Sequence, residues 1–308
     1  MSSSNPSFNP WGSRYACVCN RNSMLITYLA QGSGRKTMLT WCPTGLFSFL
    51  PVHAAGRYAD PVVECASQYL ISSYTPTIGA LLMPDHPPVT PFRMMIVVQS
   101  HSSPNAMEEM MNIEQHVNND SSSLIKFGTS ESPASVEAVA CCLPQASIVH
   151  FACHGKQDPR KPLKSGLVIE NEILTISRIM KDPPPAGSLA FLSACETATR
   201  DESVIDEAIT VGASLIFGGF QRVVATMWYV PDDVHSNACY SWLCYRGNQD
   251  GPAVANAFYR ELFSGGDGSP MTVPDTSKSA EALLIAVEEL RSRGVEFRRW
   301  VPFIHIGK

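Results

Sequence analysis

Two short apolar segments, each followed by a reactive side chain, do most to restrict how this chain can fold. One is Ile148–Ala152 within SIVHFACHG, and the other is Leu189–Leu192 within LAFLSACETA. Apolar runs of this length predict strands that are buried on both faces of a parallel sheet. Because the carboxyl ends of such strands border the ligand crevice, the sequence predicts that His154 and Cys195, 41 positions apart, meet at one edge of the sheet.

A histidine beside a cysteine is a catalytic pair for acyl transfer. A free thiol is mostly protonated at neutral pH, and an imidazole that takes its proton or stabilises the thiolate makes the sulfur nucleophilic. Gly155 lets the backbone approach closely, so the amides of Gly155 and Cys195 are candidates for holding the oxyanion. The alternative is a buried structural cysteine and a hydrogen-bonded core histidine, which is the commoner fate of these residue types.

Several further strings make the chain resemble a known family. They are HFACHG, QDPRKPLKSGLVI, LSACETA, DEAITVGASLIFGGFQRVVATMW and RRWVPFIHIG, with WCPTGLFSFLPVHAAGRY and SSYTPTIGALL in the first half. Together they resemble a CHAT domain of the fungal type, a caspase-like domain that is often found beside tetratricopeptide repeats. The resemblance runs from Trp41 to Gly307.

The resemblance implies an α/β fold, a caspase-like three-layer sandwich with a mostly parallel central sheet. It also implies that His154 and Cys195 occupy the dyad positions of a cysteine endopeptidase. The QACxG string of caspases is absent, so the resemblance does not imply cleavage after Asp. The alternative from a different class of function is a catalytically silent signalling or scaffold module that keeps the fold and binds partners.

The same resemblance and the composition give a domain organisation. Residues 1–40 are rich in Ser, Asn and Gly and are predicted to form a poorly structured N-terminal arm. Residues 41–307 would form one domain, with a pseudo-catalytic half over 41–133 and a catalytic half over 134–307. The family usually carries repeats before this domain, and a regulatory partner or repeat domain is therefore expected.

Acidic residues around the predicted dyad are candidates for a substrate pocket. Asp158, Glu196, Asp201 and Asp232 would attract a basic side chain, because caspase-related peptidases outside the caspases proper often cut after Arg or Lys. Trp228 follows another predicted strand at the same edge, where it would wall the substrate site or plug the core. Simple helix chemistry is the alternative for the acids that precede an apolar helix, since negative charge is favoured at helix starts.

Bulk properties exclude several classes of function. A net charge of −5 and a pI near 5.9 argue against general binding to nucleic acid or to anionic membranes, so the expected partner is a protein or peptide substrate. No apolar run approaches the roughly 18 to 20 residues that span a bilayer, and the polar start lacks the pattern of a secretory signal, which together predict a cytoplasmic, intracellular protein.

The cysteines and glycines of the sequence predict neither a metal nor a cofactor. The ten cysteines are spaced unevenly, so reduced thiols are expected, and no ligand set has the spacing of a zinc site. A nucleotide-binding domain is disfavoured because no GxGxxG or GxxxxGK[ST] string follows a predicted strand.

Outside the two apolar segments, local patterns predict further elements. Residues 59–73 are predicted to form a helix, and 94–99 a buried strand. A second helix is predicted from Asn105 to Val117, and a last strand, 303–306, is expected to close the sheet. The side chains of the second helix that are expected to face the core are Met107, Met110, Met111 and Ile113.

The composition of residues 234–250, VHSNACYSWLCYRGNQD, is typical of an insertion. They show neither helical nor strand period and combine aromatic side chains with two cysteines. Such a patch is an interface or a liability when it is exposed. The segment is therefore either a functional lid or docking loop, or sequence that is foreign to the domain.

Overall fold

The computed structural model describes residues 36–59, 62–84, 90–99, 104–117, 123–158, 160–185, 188–193, 211–227, 250–265 and 271–308. Its strands, in chain order, are β1 (Thr37–Trp41), β2 (Gly56–Ala59), β3 (Val62–Cys65), β4 (Leu70–Tyr74), β5 (Met94–Val98), β6 (Leu124–Phe127), β7 (Ile148–Ala152), β8 (His154–Lys156), β9 (Gly166–Ile169), β10 (Glu172–Thr175), β11 (Leu189–Leu192), β12 (Arg222–Thr226) and β13 (Phe303–Gly307). Its α-helices are α1 (Ile78–Leu81), α2 (Pro104–Glu114), α3 (Val136–Cys142), α4 (Ile176–Lys181), α5 (Val211–Phe217), α6 (Asp250–Leu262), α7 (Ser279–Ser292) and α8 (Phe297–Trp300).

A central sheet in the order β1-β4-β13-β12-β11-β7-β5-β6 organises the molecule. The block β6, β5, β7, β11 and β12 is parallel throughout. β13 is antiparallel to β12 and parallel to β4, which in turn is parallel to β1. The sheet is therefore mostly parallel, and the carboxyl ends of β5, β7, β11 and β12 lie at the same edge.

Helices cover both faces of this sheet. In β7, Val149 and Phe151 pack into one apolar cluster, whereas Ile148 and Ala152 pack into the other. The first cluster is completed by side chains of α3, α4 and α5, and the second by side chains of α2, α6 and α7. Burial on both faces explains why the strands read as continuous apolar runs rather than as alternating patterns.

Two smaller sheets complete the described part of the fold. β8, β9 and β10 form an antiparallel sheet in the order β10-β9-β8, and β2 pairs with β3. The three-stranded sheet matters for function because β8 begins at His154, immediately after the chain leaves β7.

The strands predicted from apolar runs are confirmed at 148–152, 189–192 and 94–98, but the helix predicted over 59–73 is wrong. That segment contains the end of β2, β3, a 3-10 turn and most of β4. Two β-branched residues, Val62 and Val63, favour the extended backbone there. The pairing of β4 with β1 on one side and β13 on the other outweighs the local helical pattern.

The predicted helix over 105–117 is confirmed with slightly different ends as α2. Its Met110 and Ile113 are buried as predicted. Met111 is 54% exposed, so the prediction that it faces the core is wrong. It lies roughly 100° around the helix from Met110, outside the buried stripe.

Candidate functional site

His154 lies just beyond β7, at the edge where the parallel strands end. The chain bends at Cys153 and continues as β8, in which His154 is paired with Val168 of β9. Its side chain is half-buried, and this loss of solvent lowers the pKa of His154 from the ordinary value of 6.5. The imidazole is therefore neutral at pH 7 and available as a base.

The ends of β5 and β7 hold the backbone around His154 in place. Gln99, which follows β5, donates its backbone N–H to the carbonyl of Ala152 at 3.0 Å. The side-chain oxygen of Gln99 accepts a long contact of 3.5 Å from the backbone N–H of His154, and its amide nitrogen lies 3.5 Å from the carbonyl of Glu170 in the turn between β9 and β10. Gln99 thus connects the central sheet to the small sheet that carries the histidine.

β11 brings its own end to the same edge. Leu192 is paired with Phe151 of β7, and the next residue, Ser193, donates its backbone N–H to the carbonyl of Phe151 at 3.0 Å. Ser193 precedes Cys195 by two positions. The prediction that the two strands leading to His154 and Cys195 are parallel and end at one edge of the sheet is confirmed, and the structure shows in addition that they are direct neighbours.

Most of the other predicted site residues lie outside the part of the chain that the structure describes. These are Cys195, Glu196, Asp201, Trp228 and Asp232. Their assignment as nucleophile, acidic pocket and aromatic wall stays a prediction.

Gly155 and Asp158 are described, and both follow His154 closely. Gly155 is half-buried in β8 opposite Leu167. One carboxylate oxygen of Asp158 accepts the backbone N–H groups of Arg160 and Lys161, at 3.1 and 2.9 Å. Asp158 therefore stabilises the turn that follows β8. It lies four positions after His154 in the chain.

Cys153, the cysteine inside the HFACHG string, is a poor candidate for a nucleophile. Its side chain is buried, and burial raises the pKa of Cys153 to about 12. The thiol stays protonated at physiological pH, and only a thiolate attacks efficiently.

Sequence reasoning missed a buried polar cluster beneath this edge, which we call the Glu109 cluster: Glu109, His150, Ser193 and Tyr259. Ser193 Oγ donates to Glu109 Oε2 at 2.9 Å. His150 Nε2 lies 3.2 Å from Glu109 Oε1, and its Nδ1 lies 3.1 Å from the hydroxyl of Tyr259. The cluster joins α2, β7, α6 and the end of β11.

Two positions in the sequence signal this cluster. Glu109 lies on the buried stripe of α2, three residues after Ala106 and one before Met110, where packing alone calls for an apolar residue. His150 interrupts the apolar run of β7. Buried polar residues on an apolar face require partners, so each of them pointed to a second polar group across the core.

Within the described ranges, no group of three or more His, Cys, Asp or Glu side chains is arranged to hold a metal ion. The helices of the same ranges include none that is long and apolar enough to cross a membrane.

The three-layer sandwich, its mostly parallel sheet and the order of its strands define a caspase-like fold. A family model described as "CHAT domain" matches residues 22–260. The chain belongs to the CHAT domain family, as the sequence strings predicted.

Solved structures share the fold at low sequence identity. Two structures of the Saccharomyces cerevisiae separase–securin complex match with TM-scores of 0.50 and 0.52 at 13% and 12% identity, and each match covers 89% of this chain. The chain spans only 16% and 15% of the separase chains, so the likeness concerns the fold alone.

A secreted C11 cysteine protease from Bacteroides thetaiotaomicron, in complex with an irreversible peptide inhibitor, matches with a TM-score of 0.40 at 11% identity, over 66% of this chain and 59% of that one. The search of curated proteins returned no match.

Proposed function

We propose that this CHAT domain is a cysteine endopeptidase in which Cys195 is the nucleophile and His154 the general base. The observation that carries the proposal is the convergence of two parallel strand ends: β7 leads to a half-buried, neutral His154, and β11 ends beside β7, three positions before Cys195. A histidine whose pKa lies below 6.5 is ready to accept a proton at neutral pH.

The proposed reaction follows from these roles. The imidazole of His154 takes the thiol proton, and the sulfur of Cys195 attacks the carbonyl carbon of the scissile peptide bond. As the C–N bond breaks, His154 gives the proton to the leaving amine, and a thioester remains. Water then attacks the thioester with His154 again accepting a proton, which releases the carboxylic acid and restores the thiol. The amides of Gly155 and Cys195 are the proposed donors to the oxyanion.

Labelling of the thiol tests this assignment directly. Full-length protein is treated with a peptidyl chloromethyl ketone, and each modified cysteine is identified by peptide mapping, because Cys42 and Cys141 are also exposed. We expect Cys195 to react much faster than Cys141, and His154→Ala to slow both labelling and peptide turnover by at least the roughly hundredfold that a general base contributes.

The matched controls are Cys195→Ala, which should lose both activities, and Cys141→Ala, which should lose neither. If Cys195 reacts no faster than Cys141 and no peptide is cleaved, the domain is a silent scaffold rather than a peptidase. Equal activity in wild type and His154→Ala would remove His154 from the mechanism.

We further propose that a protein partner controls this activity. An exposed caspase-like site must be held inactive until it is needed, and the separase structures with the same fold are complexes with securin. The isolated chain is therefore expected to turn over substrate slowly, and a partner, a repeat domain or a cleavage event would activate it. A cleavage screen with an activated form identifies the substrate.

A further inference from the structure

We propose that Glu109 is a positioning residue for this site: its carboxylate holds Ser193, and through Ser193 the strand end that carries Cys195. The catalytic consequence rests on the proposed function, whereas the mechanical link between α2 and β11 does not.

Ser193 is fixed from two directions. Its backbone N–H bonds to Phe151 in β7, and its hydroxyl donates to Glu109 Oε2 at 2.9 Å. Ser193 is the last described residue of this strand end and precedes Cys195 by two positions in the chain. A shift of Ser193 toward or away from α2 therefore moves the start of the segment that bears the nucleophile.

The carboxylate of Glu109 is not what packing at this position requires. Only 3% of the residue is exposed, and its neighbours on the same stripe of α2, Ala106, Met110 and Ile113, are apolar and buried. Removing a carboxylate from water is unfavourable, and a well-packed apolar side chain is often at least as stable in its place. Packing does not account for a carboxylate at this position, and its directed hydrogen bond comes from Ser193, the residue that leads to the site.

Glu109 is itself held by the rest of the cluster. Burial and the negative charge of Glu109 raise the pKa of Tyr259 well above 10, so the Tyr259 hydroxyl keeps its proton and can donate to His150 Nδ1. On the other side of the ring, His150 Nε2 faces Glu109 Oε1 at 3.2 Å.

The contact between His150 and Glu109 is close but poorly aligned. Among the described residues, neither His150 Nε2 nor Glu109 Oε1 has a partner in hydrogen-bond geometry. The well-directed hydrogen bond of the Glu109 carboxylate is therefore the one from Ser193. The His150 ring, which faces Glu109, also stacks on Phe191 of β11, with centroids 5.0 Å apart. Glu109 of α2 is thus linked to β11 directly at Ser193 and, through His150, at Phe191.

The alkylation rate of Cys195 measures this link whether or not the protein cleaves peptides. Iodoacetamide reacts with the full chain across pH 5 to 9, and the modified Cys195 peptide is quantified by mass spectrometry. We compare wild type, Ser193→Ala, Ser193→Thr, Glu109→Gln and the Ser193→Ala/Glu109→Gln double variant. Ser279→Ala is the matched control, since it removes a buried serine hydroxyl that lies 2.9 Å from His305 Nε2, outside the Glu109 cluster.

We expect Ser193→Ala to change the alkylation rate of Cys195 and to lower kcat by about tenfold with little change in KM, because misplacement of a reacting group costs rate rather than binding. Ser193→Thr, which keeps a hydroxyl, should restore most of the rate. The double variant should be no worse than Ser193→Ala alone, since the two residues act as a unit. Ser279→Ala should lower stability without affecting Cys195.

Two results would overturn the inference: Ser193→Ala that lowers only the melting temperature, as Ser279→Ala does, or effects of Ser193→Ala and Glu109→Gln that simply add. A wild-type protein without any peptidase activity would end the proposed function, yet the alkylation rates would still decide whether Glu109 positions the Cys195 segment.

Discussion

Arg299 binds the carboxylate of Asp250 through two parallel hydrogen bonds, Nε to Oδ2 at 2.7 Å and Nη2 to Oδ1 at 2.8 Å. Asp250 is buried as the first residue of α6, and Arg299 comes from α8. The pair therefore fixes the start of α6 against the segment that leads into β13. In the sequence Asp250 is the last residue of the apparent insertion 234–250, but in the structure it belongs to α6.

Asp250→Ala should lower the free energy of unfolding by about 2 kcal/mol, because it removes the charged acceptor of both of these hydrogen bonds from Arg299. Urea titration followed by circular dichroism measures the change. Arg298→Ala is the matched control: its ion pair with Glu296 is exposed, and such pairs contribute little. Equal losses in the two variants would show that the Asp250 pair adds nothing special.

The pH dependence of catalysis should report the environment of His154. Because loss of solvent lowers its pKa, the acid limb of kcat/KM should fall at a pH below 6.5, where His154 becomes protonated and can no longer act as a base. Steady-state assays from pH 4.5 to 8 measure this limb. A limb centred above 6.5 would mean that the catalytic base is stabilised as a cation, contrary to the burial seen here.

Two further histidines make folding sensitive to acid. Burial lowers the pKa of His53 to about 4 and of His305, which also lies near the charge of Arg222, to about 3. In the unfolded chain both titrate near 6.5, so between pH 6.5 and about 4 the unfolded state binds protons that the folded state does not. The free energy of unfolding should therefore fall with decreasing pH, by on the order of 3 kcal/mol per pH unit for the two groups together.

The test compares the slope of stability against pH in wild type and in His53→Gln/His305→Gln. The double variant is expected to be less stable at pH 7, since His53 bonds to Tyr74 and His305 to Ser73 and Ser279, but its slope should be shallower. An unchanged slope would assign the acid sensitivity to other groups.

Substrate profiling tests the proposed acidic pocket. Peptides with Arg or Lys before the cut should be preferred, and Asp158→Asn should reduce that preference by up to roughly tenfold if its charge contributes. The asparagine keeps the oxygen that accepts from the Arg160 and Lys161 amides, so the turn survives and only the charge is lost. A preference for Asp or for large apolar residues would refute the pocket.

The sequence predicted those parts of the fold that a short stretch of neighbouring residues determines. β5, β7 and β11 were predictable because a run of four or five mainly apolar residues is typical of a strand that is buried on both faces of a parallel sheet. The place of β13 was not: predicted to close the sheet, it lies between β12 and β4 and is antiparallel to β12. The order of strands depends on which faces the helices cover, and a local pattern does not contain that information.

The site shows the same division. His154 was predictable because it follows a buried strand and precedes a glycine. The Glu109 cluster was not predicted, because its members lie on four elements far apart in the chain: Glu109 and His150 each signal that a polar partner exists, but the local sequence does not say which residue it is. Only the packing of α2 and α6 onto one face of the sheet brings Glu109 and Tyr259 to the same strands.

Deletion of residues 234–250 provides the strongest test of the apparent insertion. The deletion joins Asp233 directly to Gly251, so an aspartate again stands immediately before Gly251, at the position that Asp250 occupies as the first residue of α6. Arg299 can then bind Asp233, and the aromatic and thiol side chains of the segment are gone. We expect the deletion variant to melt at the same temperature as wild type or higher, and to keep the alkylation rate of Cys195.

The matched control adds Asp233→Ala to the deletion. This change should lower the free energy of unfolding by about 2 kcal/mol, the same as Asp250→Ala in the full chain, because both remove the acid that Arg299 binds. A deletion variant that melts markedly lower, or in which Cys195 no longer reacts, would show that residues 234–249 are a working part of the domain.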